Sequence, residues 1–427
     1  MRIALISNMF PPDSDGGLEV NALKVANGLR GRGHQVEVLT SRYRPGFVPN
    51  EPPPEWVHRV LRLAPPWSSE WTGLAGKPKL LKALIGEVSA LRHNVRATDR
   101  WLTGREFDIA YCFGMSLIGP ATTLPFTRRG IPAFFHQGGG YLEARYVRAP
   151  KESVFLRARR ALLKMEEQVD LRYLGYVSRF LIEQGEAAGF FEAPNRGTGV
   201  RAIIPRGIEF APRTDVERQR VVPPRLLMAG RISPIKGFHR AIEALGKLAR
   251  RRPELPWSLA IAGGADNLDL VAQSGDAYLR DLHRQIQNEG MEDRVTFLGR
   301  LSRAELLEAM ASSTAFISAS TFGEPFANTI IEALGSGTPL IVSADGSSRE
   351  VVVHEESALV FDKEDSDELA HCIERVLDDP PFGWRLAARG VQVILENYTI
   401  ERILDRTEAI LTEVIEHAQQ ERMSTGG

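Results

Sequence analysis

Two glutamates eight residues apart, Glu324 and Glu332, stand in the run Ser318-Ala-Ser-Thr-Phe-Gly-Glu-Pro-Phe-Ala-Asn-Thr-Ile-Ile-Glu-Ala-Leu-Gly. The pattern reads as the end of an apolar strand, a loop that carries Glu324, and a helix starting near Ala327 with Glu332 about one turn inside it. A carboxylate accepts hydrogen bonds from two neighbouring hydroxyls. The unbonded N–H groups that open such a helix, at Asn328 and Thr329 behind Phe326 and Ala327, form a ready site for an anion. A polyhydroxylated ligand carrying a diphosphate suits this constellation. On spacing alone, a capping Glu followed by a solvated helix Glu is an equal reading.

Cations come from a second loop. Leu227-Met-Ala-Gly-Arg-Ile-Ser-Pro-Ile-Lys-Gly runs from a strand into a turn bearing Arg231 and Lys236, near the position where open α/β sheets bind ligands. Fixed cations there would stabilise the charge that grows on a departing diphosphate. In the N-terminal half, Gly16 and Gly17 follow the first strand and permit close backbone approach to a ligand. His136 closes another strand in Phe134-Phe-His-Gln-Gly-Gly-Gly-Tyr. Gly263-Gly264 and Gly299-Arg300-Leu301 each follow a strand as well, and read equally as turn residues.

Taken together, Glu324-Pro-Phe with Glu332, and Gly230-Arg231 with Lys236-Gly237, resemble the double-glutamate motif and the Gly-Arg…Lys-Gly signature of the retaining family-four glycosyltransferases of GT-B fold. The resemblance covers nearly the whole chain. It implies two doubly wound Rossmann-like α/β domains facing across a cleft, and a nucleotide-diphosphate sugar as donor, UDP-linked by preference. Glu324 would contact the donor-sugar hydroxyls, Glu332 the ribose hydroxyls, and Arg231 and Lys236 the diphosphate. Gly16 and Gly17 would lie near sugar and phosphate, and His136 would hydrogen-bond the sugar. Gly263, Arg300 and Leu301 would cradle the base through backbone groups. The family usually has an acid after the histidine, where this chain has Gln137. The resemblance also implies retention of anomeric configuration by front-face transfer, the departing phosphate oxygen taking the acceptor's proton.

The elements that must position these groups follow a β-loop-α-β rhythm. Strands are expected at Arg2–Ser7, Val36–Thr40, Ile109–Phe113, Ala133–Phe135 and Leu174–Val177, with a helix over Leu18–Arg32. A second series is expected at Arg225–Ala229, Ser258–Ala262, Val295–Leu298, Ala315–Ser318 and Leu340–Val342. Residues 1–208 then form an acceptor-side domain and 209–395 a nucleotide-sugar domain. Residues 396–427 supply a closing helix that the resemblance returns to the first domain. Pro45 to Pro78, with Trp56, Trp67 and Trp71 and no period, reads as a long surface excursion.

The chain has 427 residues, 43% hydrophobic and 25% charged, with a net charge of -1, the profile of a folded enzyme of two domains and no nucleic-acid partner. The total conceals 29 Lys+Arg against 20 Asp+Glu in residues 1–210, and 24 against 34 thereafter. Only Cys112 and Cys372 occur, so a disulfide framework is excluded and a cytoplasmic setting fits. No apolar run reaches the roughly 20 residues that span a bilayer. Lys77–Trp101 and Val154–Lys164 are basic and partly amphipathic, compatible with a lipid acceptor and peripheral membrane contact, the alternative to the favoured small soluble acceptor. Trp67, Trp71, Tyr141 and Tyr146 would stack on an acceptor ring or pack on their own domain. A homodimer is compatible with the sequence.

No metal is expected. Asp13-Ser-Asp15 abuts the glycine loop, and Asp365-Ser-Asp367 reads as a helix start that favours acids. A Gly-x-Gly-x-x-Gly after the first strand is absent, which argues against a nicotinamide enzyme. An epimerase of the same fold and a non-catalytic nucleotide-sugar binder are the rivals, and the double-glutamate arrangement argues against the first.

Overall fold

The computed structural model describes residues 1–12, 17–43, 47–64, 77–147, 154–215, 222–264 and 275–425. The chain divides into two compact units, Met1–Arg206 with Ile403–Gly427, and Gly207–Arg402.

The first unit is built on a seven-stranded parallel sheet in the order β3-β2-β1-β4-β5-β6-β7. Its strands are β1 (Arg2–Ser7), β2 (Gln35–Ser41), β3 (Val57–Leu61), β4 (Ile109–Phe113), β5 (Ala133–Gln137), β6 (Leu171–Tyr176) and β7 (Arg196–Ile203). Continuous apolar runs such as Ile3 to Ile6 and Ile109 to Phe113 are buried on both faces, as strands covered by helices on either side must be. The strand order reverses where β1 lies between β2 and β4, and beyond that point the side chain of Asn8 braces the chain after β4. It accepts from the N–H groups of Leu117 and Ile118 at 2.9 and 3.1 Å and donates to Ser116 Oγ at 3.0 Å.

The second unit holds a six-stranded parallel sheet in the order β10-β9-β8-β11-β12-β13. It comprises β8 (Arg225–Ala229), β9 (Ser258–Ala262), β10 (Val295–Gly299), β11 (Ala315–Ser318), β12 (Leu340–Ser343) and β13 (Leu359–Phe361). Its order reverses at β8, between β9 and β11. In open sheets the crevice beyond the carboxyl ends of the strands at such a reversal is where ligands bind. The loops after β8 and β11 carry Arg231, Lys236 and Glu324.

Four elements depart from the sequence reading. β3 and the first two residues of the helix Lys77–Trp101 lie inside the stretch read as one excursion. β7 contains Gly197 and Gly199, which weaken any strand pattern. The three-residue β13 is too short to show a period. The helix Ile400–Thr425 begins in the second unit and continues from Ile403 in the first. There Arg32 pairs with Asp405 at 2.8 Å and Glu408 at 2.7 Å, and Tyr173 donates to Glu421 at 3.1 Å.

Candidate functional site

In the second unit the two loops at the strand reversal are tied together. Ser320 Oγ donates to the carbonyl of Ile235 at 3.0 Å, and so does the Thr321 N–H, also at 3.0 Å. Pro234–Lys236 forms a single turn, and Gly237 enters the helix Phe238–Arg251 with φ 67°. A Cβ on Gly237 would stand 1.7 Å from the Ala319 carbonyl oxygen, so only glycine lets the two loops approach. This places Lys236 Nζ 2.6 Å from Glu324 Oε1, with both side chains about three-quarters covered. Arg231 is exposed on the same loop.

The Glu324 loop is gripped from its other side as well. Ser347 N–H donates to the Glu324 carbonyl at 3.0 Å, and Gly346, at φ 58°, lies where a Cβ would be 2.3 Å from that oxygen and 2.4 Å from the Glu324 nitrogen. Gly346→Ala must therefore displace Glu324 or strain the turn, at a cost of about 1–3 kcal/mol. We expect a loss of turnover of about tenfold or more from the misplaced carboxylate, with the second unit still folded. Wild-type turnover in that variant would show that the turn does not set the position of Glu324.

The helix Asn328–Gly335 starts from Ala327, which offers no side-chain cap. Phe326 and Ala327 are buried, the Phe326 ring lying 5.9 Å from that of Tyr398. Glu332 is buried, and its Oε1 lies 3.1 Å from an Arg303 guanidinium nitrogen. Sequence reasoning missed Arg303. It is the first residue of the helix Arg303–Ala311, which opens with a Ser302–Glu305 capping box. Such a capping box marks a helix start, but nothing local points to a partner 29 residues away. Arg300 is exposed and Leu301 half-buried after β10, and Gly263 N–H donates to the Gly299 carbonyl at 2.8 Å, so these predicted contacts share one edge of the sheet.

In the first unit His136 is the fourth residue of β5 and is buried. Nε2 donates to the Ile204 carbonyl at 2.8 Å, which leaves Nδ1 to accept from the Tyr111 hydroxyl at 2.9 Å. Both ring nitrogens are thus engaged within the unit. Burial lowers the His136 pKa to about 4; the Ile204 contact works against this, and the charge of Arg206 adds to it. Because the folded-state pKa lies below the ordinary 6.5, the unfolded chain binds the extra proton first, and stability is lost as pH falls from 6.5 towards 4. The full loss is about 3 kcal/mol. His136→Gln should flatten acid unfolding in that window; an unchanged profile would assign the acid sensitivity to other groups.

Gln137 follows in the position where an acid was expected. Its amide donates to Glu143 Oε1 at 3.3 Å, and burial raises the pKa of that carboxyl. Gly17 is the first residue of the helix Gly17–Gly31; Gly16, Asp13 and Asp15 lie outside the described residues, as do Trp67 and Trp71. Tyr141 is half-buried. Tyr146 packs on its own domain, its hydroxyl on the Glu166 carbonyl at 3.3 Å and the Arg196 guanidinium 5.6 Å from its ring. Asp365 caps the helix Ser366–Asp378 by accepting from the N–H groups of Asp367 and Glu368. Among the described residues no three His, Cys, Asp or Glu side chains are grouped to share a metal, and no helix is long and apolar enough to cross a membrane.

Residues 215–392 match the family model described as glycosyl transferases group 1, and residues 16–169 match the glycosyl transferase 4-like domain. An uncharacterized glycosyltransferase of Methanocaldococcus jannaschii is 24% identical over 419 residues, 95% of this chain and 97% of the relative. Among solved structures, sucrose-phosphate synthase from Thermosynechococcus elongatus is similar with a TM-score of 0.71 and 20% identity, over 97% of this chain and 99% of that one. Anabaena HepE in complex with UDP is similar with a TM-score of 0.65 and 19% identity, over 96% and 100%. These likenesses are of fold, two Rossmann-like domains.

Proposed function

Because this chain belongs to the family-four glycosyltransferases of GT-B fold, we propose that it moves a hexose-type sugar, with retention, from a nucleotide diphosphate to a hydroxyl of a small-molecule, saccharide or lipid acceptor. The observation that carries the reading is the 2.6 Å contact of Lys236 with Glu324 beyond the carboxyl ends of β8 and β11. Each group is the other's partner here, and a donor would exchange them. Sugar hydroxyls donate to Glu324, while the diphosphate takes the Lys236 ammonium together with Arg231 and the N–H groups of Asn328 and Thr329. UDP is the favoured nucleotide because structures of the Anabaena relative were obtained with UDP and UDP-glucose.

A carboxylate offers about four lone-pair sites, so Glu332 would accept ribose hydroxyls while Arg303 fixes its orientation. Gly263, Arg300 and Leu301 would present backbone groups to the base, and Gly16 and Gly17 would admit sugar and phosphate. His136 would reach the donor sugar only if Nε2 left the Ile204 carbonyl. As the bond to the anomeric carbon breaks, negative charge grows on the phosphate oxygen. Lys236, Arg231 and the helix start, already in place, stabilise it, and the same oxygen takes the acceptor's proton. No metal is required on this reading.

The test is thermal stabilisation of the full chain by UDP-, GDP-, ADP- and TDP-linked sugars, each with and without a chelator. A donor at a hundred times its Kd stabilises by about 2.7 kcal/mol, a shift of several degrees. One nucleotide series should stand out, unaffected by the chelator, and that donor should be slowly hydrolysed without acceptor. No shift from any of them overturns the donor site. A shift without hydrolysis or transfer leaves a nucleotide-sugar binder.

A further inference from the structure

The helix Lys77–Trp101 turns one stripe inwards, with Leu84, Glu87, Leu91, Asn94 and Thr98 buried at helical spacing. The opposite stripe is unlike an ordinary solvated face. Leu81 is 56% exposed and Ile85 60%, and about two to four turns beyond Ile85 come Arg92, Arg96 and Arg100, all exposed. Leu162, at the end of the helix Val154–Leu162, is 49% exposed, and Arg62 follows β3. These seven side chains line one open groove of 880 Å³. Among its described lining residues the single acid, Asp99, is already paired with Arg129 at 2.7 Å.

The groove therefore offers apolar surface at one end of a helical stripe and uncompensated positive charge at the other. A soluble anion would answer the guanidinium groups and leave Leu81, Ile85 and Leu162 in water. An apolar peptide would cover the leucines and strand the arginines. A bilayer surface answers both, since apolar side chains enter the boundary between head groups and acyl chains while arginine stems extend along it and place their charges among phosphates. We propose that this face seats the protein on an anionic lipid surface. The proposal concerns the first unit alone and stands apart from the transferase reading.

Co-sedimentation of the full chain with vesicles tests it. Binding is expected to vesicles of phosphatidylcholine mixed with phosphatidylglycerol, not to phosphatidylcholine alone, and should weaken as salt shortens the reach of the charges. Each arginine near the surface is worth about a fivefold change in binding, so losing three of them costs about a hundredfold, and the combined R92E, R96E and R100E variant, which also adds three repelled carboxylates, should lose at least that much. L81S with I85S should weaken binding at constant charge. Both variants should keep the wild-type melting temperature and the donor-induced shift, which separates failure here from failure of the donor site. The proposal is overturned if the wild type binds neither vesicle, if the triple reversal binds as the wild type does, or if soluble glycerol phosphate displaces the protein from the vesicles far more effectively than sodium chloride of equal ionic strength.

Discussion

Lys236→Ala is expected to lower turnover by two to three orders of magnitude while the melting temperature barely moves. A preorganised group that meets charge as it develops in the transition state is worth about 2.7–4 kcal/mol, or about a hundred- to a thousandfold in rate. The ion pair it makes with Glu324 in the absence of donor is worth about 0–1 kcal/mol, because both side chains retain access to water. Lys236→Arg should recover part of the rate, since the charge is restored in a planar group of different reach. The measurement is single-turnover sugar release or transfer, with donor affinity followed separately by thermal shift. Turnover close to wild type would remove Lys236 from the reaction and leave it as a tether for the Glu324 loop.

The second large effect concerns stability. Glu87→Ala should cost about 3–5 kcal/mol, because Glu87, only 2% exposed, neutralises two arginines from other elements. Arg145 donates to it at 3.0 Å, and Arg159 through Nε at 2.8 Å; Arg145 also holds Glu166 at 2.6 and 2.7 Å. Together they pin the helices Lys77–Trp101, Tyr141–Tyr146 and Val154–Leu162 to one another. Truncation leaves buried positive charge with one carboxylate fewer to answer it. Urea unfolding followed by a probe in each unit should show the first unit melting early and the second, Gly207–Arg402, unchanged. A loss below about 1 kcal/mol would mean that water enters and solvates the freed arginines.

This four-residue knot marks the limit of what a sequence discloses. Glu87 meets Arg159 across 72 positions, and no spacing rule connects them. The pairing of Arg303 with Glu332 escaped for the same reason, and so did the saturation of His136, whose partners are Tyr111 on the adjacent strand β4 and Ile204 just past β7. Local signals were readable where a short-range physical rule writes them. The buried strands β1, β4, β8 and β9 stand out as apolar runs, the helix Lys77–Trp101 by its period, and the Asp365 cap by its chemistry. The Glu324 loop followed by a helix was legible because proline and a short polar run interrupt the strand before the period changes. β3 was hidden because proline and glycine on both sides outweigh five residues at a sheet edge.

The chain leaves the first unit once, after Arg206, and re-enters it once, at Ile403. Just inside the second unit the outgoing and returning segments run side by side. Ile208 N–H donates to the Tyr398 carbonyl at 2.9 Å, and Ile400 N–H to the Ile208 carbonyl at 2.8 Å. Residues 207–402 are therefore a cassette spliced into a host whose own sequence resumes afterwards. Cutting the gene at its midpoint would orphan the final helix from the sheet it covers, whereas lifting out the cassette at its neighbouring ends preserves it. The same adjacency makes the piece suited to head-to-tail cyclisation, and to exchange as a block between chains built to the same plan.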